Sequence, residues 1–72
     1  MYYVYALSSL TRNYIYVGLT DDLKRRISQH NRGQNRTTRT YAPFVLIYSQ
    51  VFLTRMQARR REKYLKSATG KT

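Results

Sequence analysis

The chain opens with two short stretches in which apolar and polar positions alternate. Residues 2–7 and 14–19 are rich in tyrosine, valine and leucine, while residues 8–13 between them are polar. An alternation with period two over such lengths predicts two strands joined by a loop. The start of the chain is therefore expected to form a β-hairpin.

The pairing of these two strands follows from how the loop closes. Symmetric closure predicts a register in which the following residues face each other on one side of the sheet: Tyr5 and Tyr16, Leu7 and Tyr14, and Tyr3 and Gly18. In that register the hydroxyls of Tyr5 and Tyr16 project side by side.

A helix is predicted to follow the hairpin. Thr20, Asp21 and Asp22 supply a capping hydroxyl and two carboxylates at the positive end of the helix dipole. The helix should run to about Arg32, because Gly33 favours the left-handed conformation that ends a helix.

Helical spacing divides the side chains of this first helix into faces. Leu23 and Ile27 are expected to point at the core, and Arg26 and His30, one turn apart, lie along one edge of that apolar stripe. Lys24 is expected to point to solvent with its neighbour Arg25.

The second half of the chain predicts a loop, a strand and a helix. Residues 34–43 are polar, and Arg36 and Arg39 within them are expected to contact phosphates. Residues 44–52 form a nearly continuous apolar run, typical of a strand covered on both faces or of a buried helix segment, and their β-branched and aromatic content favours a strand. Thr54, with Gln57 three residues later, has the spacing of a capping box, which predicts a helix to about Ser67.

The charge of the chain indicates a polyanionic partner. Fourteen Lys and Arg residues against three acidic ones give a formal net charge of +11 over 72 residues. Such a balance favours nucleic acid, although basic proteins that do no chemistry share it. With no cysteine and one histidine, a structural zinc site lacks its ligands. No apolar run approaches the ~18 residues of a membrane span, so we expect one small cytoplasmic domain over residues 1–72 with no membrane contact.

Glu62 is the only glutamate, and helical spacing places it with Ala58 and Leu65 on the apolar side of the last helix. A lone carboxylate there can pair with an arginine, Arg26 being one candidate, or hold a divalent cation against a phosphate. Arg59 and Lys63 face away from that side and are expected to contact phosphates or solvent.

An ordered set of motifs resembles the GIY-YIG nuclease family. The set consists of Tyr3-Val4-Tyr5, then Tyr16-Val17-Gly18, an arginine eight residues past that glycine, and a glutamate in the last helix. The likeness covers nearly the whole chain and is closest to the small stand-alone members, of the type of the N-terminal domain of excision-repair nucleases. It implies an α/β (α+β) fold, with a three-stranded antiparallel sheet flanked by helices in the order β-β-α-β-α.

The resemblance also implies an activity, the hydrolysis of DNA phosphodiester bonds with one divalent cation, Mg²⁺ or Mn²⁺. Carried over to this sequence, Glu62 is the metal ligand and the catalytic set is Tyr5, Tyr16, Arg26, His30 and Glu62. The general base is one of the two tyrosines, Arg26 binds the scissile phosphate, and His30 orients water or phosphate or is a structural residue. The six basic residues expected to bind nucleic acid are Lys24, Arg25, Arg36, Arg39, Arg59 and Lys63.

The sequence departs from the family pattern at two points, of which the second keeps other functions open. Tyr3 stands where the first tripeptide has glycine, and no asparagine follows Asn35, whereas the larger enzymes use one beyond the glutamate-bearing helix. One alternative is a catalytically weak or inactive nucleic-acid binding module. Another is a basic interaction domain of a larger repair or mobile-element complex.

The expected substrate is DNA. The resemblance suggests branched or damaged DNA in repair or recombination. Phosphate contacts alone leave RNA open as well. We expect a monomer or a weak dimer.

Overall fold

The computed structural model describes residues 1–34, 36 and 38–69, and its elements follow the predicted order. The chain begins with strands β1 (Tyr2–Ser9) and β2 (Ile15–Thr20). Helix α1 (Leu23–Asn31), strand β3 (Phe44–Phe52) and helix α2 (Arg55–Thr69) follow in that order. A short 3₁₀ turn, Arg39–Tyr41, lies in the segment predicted to be a loop. The three strands form one antiparallel sheet in the order β2-β1-β3, which confirms the predicted fold class. Within the described residues, neither helix is long and apolar enough to cross a membrane.

The sheet carries one helix on each face, because successive side chains of β1 point in opposite directions. Val4 and Ala6 pack with Val17 and with Ala58 of α2. Tyr5 and its neighbours on the other face pack beneath α1. The central strand β1 is therefore buried on both sides.

The predicted hairpin register is wrong by two residues. The structure pairs Tyr5 with Gly18, Leu7 with Tyr16 and Tyr3 with Thr20. The loop is shorter than expected, since the Ser9 amide donates to the Tyr14 carbonyl. A shift of two keeps each side chain on its predicted face, so Tyr5 and Tyr16 become diagonal neighbours on the same face.

Ser9 explains why β1 continues past its predicted end. Its hydroxyl oxygen accepts hydrogen bonds from the amides of Thr11 and Arg12, and its O–H donates to the carbonyl of Tyr41 at 2.6 Å. A turn organised by side chain and backbone in this way leaves no periodicity in the sequence.

The ends of both helices follow the rules of capping, with one correction. Asp22, and not Thr20, caps α1, because its carboxylate accepts the amide of Arg25 at 3.2 Å. Gly33 has a φ of +74°, as predicted for the end of this helix. Thr54 caps α2 by accepting the amide of Gln57 at 3.2 Å.

β3 has its predicted bounds, but it is not covered on both faces. It lies at the edge of the sheet, and Val45, Leu46, Ile47 and Val51 are exposed. A continuous apolar run does not distinguish a buried strand from an uncharged edge strand.

Replacing the α1 cap tests the corrected start of this helix. Asp22→Ala is expected to lower the free energy of unfolding by about 1 kcal/mol, because the amide of Arg25 loses its acceptor. Asp21→Ala removes the same charge one residue earlier and should cost less than about 0.5 kcal/mol. Urea unfolding of the two variants measures the difference, and equal losses would contradict the assignment of the cap.

Candidate active site

Tyr5 begins a chain of three buried polar side chains that are linked by hydrogen bonds. Its ring is 1% exposed, and its hydroxyl lies 3.1 Å from Nε2 of His30. The other ring nitrogen of His30, Nδ1, lies 2.8 Å from Oγ1 of Thr38. His30 and Thr38 are fully buried. The 3₁₀ turn region, helix α1 and the central strand are thus joined through three side chains.

The histidine in this chain is held neutral. Burial, and after it the charge of Arg26, lower the pKa of His30 from its ordinary value. A neutral imidazole has one donor and one acceptor nitrogen. Either Tyr5 donates to Nε2 while Nδ1–H donates to Thr38, or both hydrogen bonds run in the opposite direction.

Gly18 makes room for the tyrosine rings. It lies directly opposite Tyr5 in the sheet, and a Cβ at this position would lie 2.5 Å from the Tyr5 hydroxyl oxygen and 2.9 Å from Cε2 of Tyr16. The ring centroids of Tyr5 and Tyr16 are 6.2 Å apart, and those of Tyr16 and His30 are 4.8 Å apart. The glycine of the Tyr16-Val17-Gly18 motif therefore has a steric role, which is to let two aromatic rings lie against the strand.

Burial decides the ionisation of Tyr5. Desolvation, and then the neighbouring Tyr16, raise the pKa of Tyr5 well above its usual range, and the positive charge of Arg26 only partly opposes this rise. Tyr5 is therefore protonated at neutral pH. Tyr16 is half-buried, so its hydroxyl is the more accessible of the two.

Arg26 reaches this cluster from α1. Its guanidinium donates to Oε1 of Gln29 at 3.2 Å, and its positive charge lowers the pKa of Tyr5, which places it within electrostatic range of the phenol. Beside it lies a cleft of about 190 Å³ lined by Thr20, Asp21, Asp22, Arg25, Arg26 and Gln29. The arginine is thus placed between the buried tyrosine and an open surface.

Glu62 approaches from α2. Its side chain is 13% exposed, and its carboxylate pairs with Nζ of Lys66 at 3.2 Å and with Arg59 at 4.0 Å, both on the same helix. The charge of Glu62 contributes to the raised pKa of Tyr5, which places the carboxylate within electrostatic range of the phenol. The ion pair with Arg26 that the sequence left open is not formed among the described residues, because Glu62 pairs with Lys66 and Arg59 while Arg26 hydrogen-bonds Gln29.

The cluster around Tyr5 offers a metal ion a single carboxylate, that of Glu62. Over residues 1–34, 36 and 38–69, no three His, Cys, Asp or Glu side chains form a group that could hold a metal ion. Carboxylate oxygen is nevertheless the donor that Mg²⁺ and Mn²⁺ accept, and Mg²⁺ usually keeps several waters and binds through one or two carboxylates plus substrate phosphates. Glu62 fits such a site, provided that phosphate and water complete the coordination.

The basic residues predicted to bind nucleic acid are all on the surface. Each of the six is exposed: Lys24, Arg25, Arg36, Arg39, Arg59 and Lys63. Two of them, Arg59 and Lys63, line a groove on α2 with Arg55, Met56 and Arg60. Asn35 and Thr37, on either side of Arg36 in the sequence, lie outside the described residues.

Sequence analysis missed two participants in the site. Lys66 follows Glu62 by one helical turn, a spacing that signals an ion pair. Thr38 gave no signal, because it is one of several threonines in a polar loop and only the tertiary structure brings it to His30.

Comparison with known proteins identifies the family of the chain. The family model described as the GIY-YIG catalytic domain matches residues 1–72. A UPF0213 protein of Staphylococcus haemolyticus is 36% identical over 67 residues, covering 92% of this chain and 80% of that protein. A UPF0213 protein of Streptococcus agalactiae is 39% identical over 56 residues, and the match spans 76% of this chain and 64% of the relative.

A solved structure shares the fold. The solution NMR structure of a UPF0213 protein from Bacillus halodurans is 35% identical and aligns with a TM-score of 0.56, covering 93% of this chain and 72% of that one. The chain belongs to the GIY-YIG family, and its relatives are the small UPF0213 members. This confirms the resemblance drawn from the motifs.

The contact of Gly18 with Tyr5 predicts a large effect of one methyl group. Gly18→Ala is expected to lower the free energy of unfolding by about 1–3 kcal/mol, because the Tyr5 ring is enclosed and cannot move aside without losing His30. Gly33→Ala, at a position with 3.5 Å of clearance, is the control and should cost about 1 kcal/mol for its positive φ. Chemical denaturation measures both; a loss at Gly18 no larger than at Gly33 would contradict the steric role.

His30 is the only histidine, so its titration can be read without overlap. Its pKa is lowered on folding, so the unfolded chain binds more protons below about pH 6.5, and stability must fall as the pH drops through that value. We expect wild type to lose stability from pH 7 to pH 5 and His30→Gln to show a flatter slope. A histidine ring resonance titrating at or above pH 6.5 in the folded wild type would refute this.

Proposed function

We propose that this protein is a metal-dependent endonuclease that hydrolyses phosphodiester bonds of DNA. The observation that carries the proposal is the clustering of Tyr5, Tyr16 and His30 beside Gly18, with Arg26 and the only glutamate within electrostatic range of Tyr5. A purely structural site has no need to bring an arginine to an open cleft beside a buried phenol.

Tyr16 is the better candidate for the general base. A base must reach the attacking water. Tyr16 is half-exposed, whereas Tyr5 is enclosed and burial raises the pKa of its phenol. Tyr5 and His30 then act as positioning residues, since they hold the aromatic cluster and Arg26 in place. Fully buried His30 contacts Tyr5 and Thr38 rather than phosphate.

Arg26 is placed to bind the scissile phosphate. A guanidinium offers two parallel N–H donors to a phosphate, and its charge opposes the negative charge that builds up as the bond breaks. The contact with Gln29 fixes one of its nitrogens and directs the side chain along the cleft.

Glu62 would hold the divalent cation. When bound, Mg²⁺ or Mn²⁺ supplies Lewis-acid stabilisation of the phosphate and leaving oxygens. Lys66 and Arg59 already neutralise the carboxylate, so we expect weak metal affinity in the absence of nucleic acid.

The net charge of +11 supports a substrate bound chiefly through phosphates, with affinity that falls steeply with salt. Branched or damaged DNA in repair or recombination remains our proposed substrate class, and RNA is to be tested beside it. We propose that catalysis needs one copy of the chain, in the cytoplasm.

A second candidate function is a nucleic-acid binding module that does not cut. The pairing of Glu62 with Lys66 and Arg59 favours it, because a carboxylate with two cationic neighbours is already satisfied without a metal. The two functions differ in their need for a divalent cation.

Two variants separate the proposed enzyme from the binding module. Glu62→Gln and Arg26→Ala should each lower the rate of cleavage of supercoiled, single-stranded or branched DNA in Mg²⁺ or Mn²⁺ by about 10²-fold or more. Arg32→Ala removes the same charge as Arg26→Ala from the exposed end of α1 and should remain close to wild type.

Circular dichroism checks that all three variants are folded. Cleavage that survives in folded Glu62→Gln would refute the role of this carboxylate. No cleavage of any substrate, with salt-sensitive binding in every variant, would support the binding module.

A further inference from the structure

A second groove lies on the flank of α2 that faces away from Glu62. It has a volume of about 600 Å³ and is lined by Phe52, Gln57, Arg60, Arg61 and Tyr64. Successive helical residues are about 100° apart. Viewed along α2 from Ala58, Glu62 and Lys66 therefore lie on one side of the helix, while Gln57, Arg61 and Tyr64 lie on the other. The groove is distinct from the candidate active site.

An exposed aromatic ring and a guanidinium meet in this groove. Tyr64 is 62% exposed, and the guanidinium carbon of Arg61 lies 5.4 Å from the centroid of its ring. Arg61 covers part of the ring, and the exposure of Tyr64 leaves the remainder open to a flat, π-bonded group. Half-buried Phe52 forms an apolar part of the lining.

The polar lining of the groove matches an anionic ligand. Arg60 and Arg61 supply two positive charges, Gln57 supplies an amide that can both donate and accept, and none of the lining residues is acidic. Aromatic rings beside arginines are how proteins hold unpaired nucleotides, whose bases stack while the phosphates are bound by cations.

We propose that this groove binds an unpaired segment of nucleic acid, with a base stacked on Tyr64 and the adjoining phosphates bound by Arg60 and Arg61. The proposal rests on the proposed function in taking nucleic acid as the ligand, but it uses neither Glu62 nor a metal ion. A duplex hides the faces of its bases, so the groove should favour single strands and the unpaired arms of branched DNA.

Binding without cleavage tests the groove. A fluorescein-labelled single-stranded oligothymidine of about 12 nucleotides, within the range of single-strand binding sites, is titrated in EDTA with wild type, Tyr64→Ala and Tyr64→Phe. Tyr64→Ala should bind about fivefold or more weakly because a stacking surface is lost, whereas Tyr64→Phe should bind like wild type. Leu10→Ala, at an exposed uncharged position of the hairpin turn outside the groove, is the control.

Charge alone predicts a different result. Tyr64→Ala leaves the charge unchanged, so purely electrostatic binding would be equally tight in both proteins. Arg61→Gln and Arg32→Gln each remove one charge, the second from the exposed end of α1 outside the groove, and the groove requires that Arg61→Gln weakens binding more than its control.

The chain has no tryptophan, which allows a direct readout of stacking. Tyr64→Trp should lose fluorescence on binding the oligonucleotide, and Leu10→Trp, at an exposed position outside the groove, should change little. Equal affinities of wild type and Tyr64→Ala, or no quenching of the tryptophan introduced at position 64, would overturn the proposal.

The two proposals fail separately. Binding that is sensitive to Tyr64 in a protein that cuts nothing would overturn the nuclease and leave the groove standing. Metal-dependent cleavage with binding unaffected at Tyr64 would do the reverse.

Discussion

The close approach of Tyr5 to Gly18 is the contact on which the site depends. The central strand directs Tyr5 into the space beneath α1, and only a residue without a side chain can lie opposite its ring. Once the ring is there, its hydroxyl reaches His30 and holds the histidine against Thr38. Each of these groups is satisfied inside the protein, which is what makes their burial tolerable.

The burial of Tyr5 gives the two tyrosines different environments. Desolvation keeps the Tyr5 phenol protonated, so it contributes position and a hydrogen bond. Tyr16 lies two residues before Gly18 on the same face of the sheet, yet at the half-exposed edge strand. Tyr5 and Tyr16 belong to similar tripeptides in the sequence. They differ in access to solvent because β1 is the central strand and β2 is an edge strand.

The distribution of charge gives α2 two different flanks. On one flank the only glutamate is neutralised by Lys66 and Arg59 and lies within electrostatic range of the phenol cluster. On the other, arginines border exposed Tyr64 with no carboxylate nearby. A single helix packed on the sheet through Ala58 thus presents two chemically different surfaces, one to the phenol cluster and one to solvent. Its small buried residue allows it to lie close to the sheet.

Local patterns determined much of this protein by themselves. Period-two and helical spacing fixed which elements form and which face each side chain takes, since these depend on backbone geometry within a few residues. The motif set also identified the family, and the placement of Arg26 and His30 on one helix edge followed from spacing alone. The bounds of β3 and the cap of α2 were foreseen for the same local reason.

Only the tertiary structure decided the register, the exposure and the partners. The hairpin register depended on Ser9, whose hydroxyl bonds Tyr41 more than thirty residues away. The exposure of β3 depended on strand order, and the neutrality of His30 depended on its burial with Thr38. These are properties of contacts between distant segments. Because no local pattern records which segments meet, the sequence could name the chemical groups of the site but not which of them water can reach.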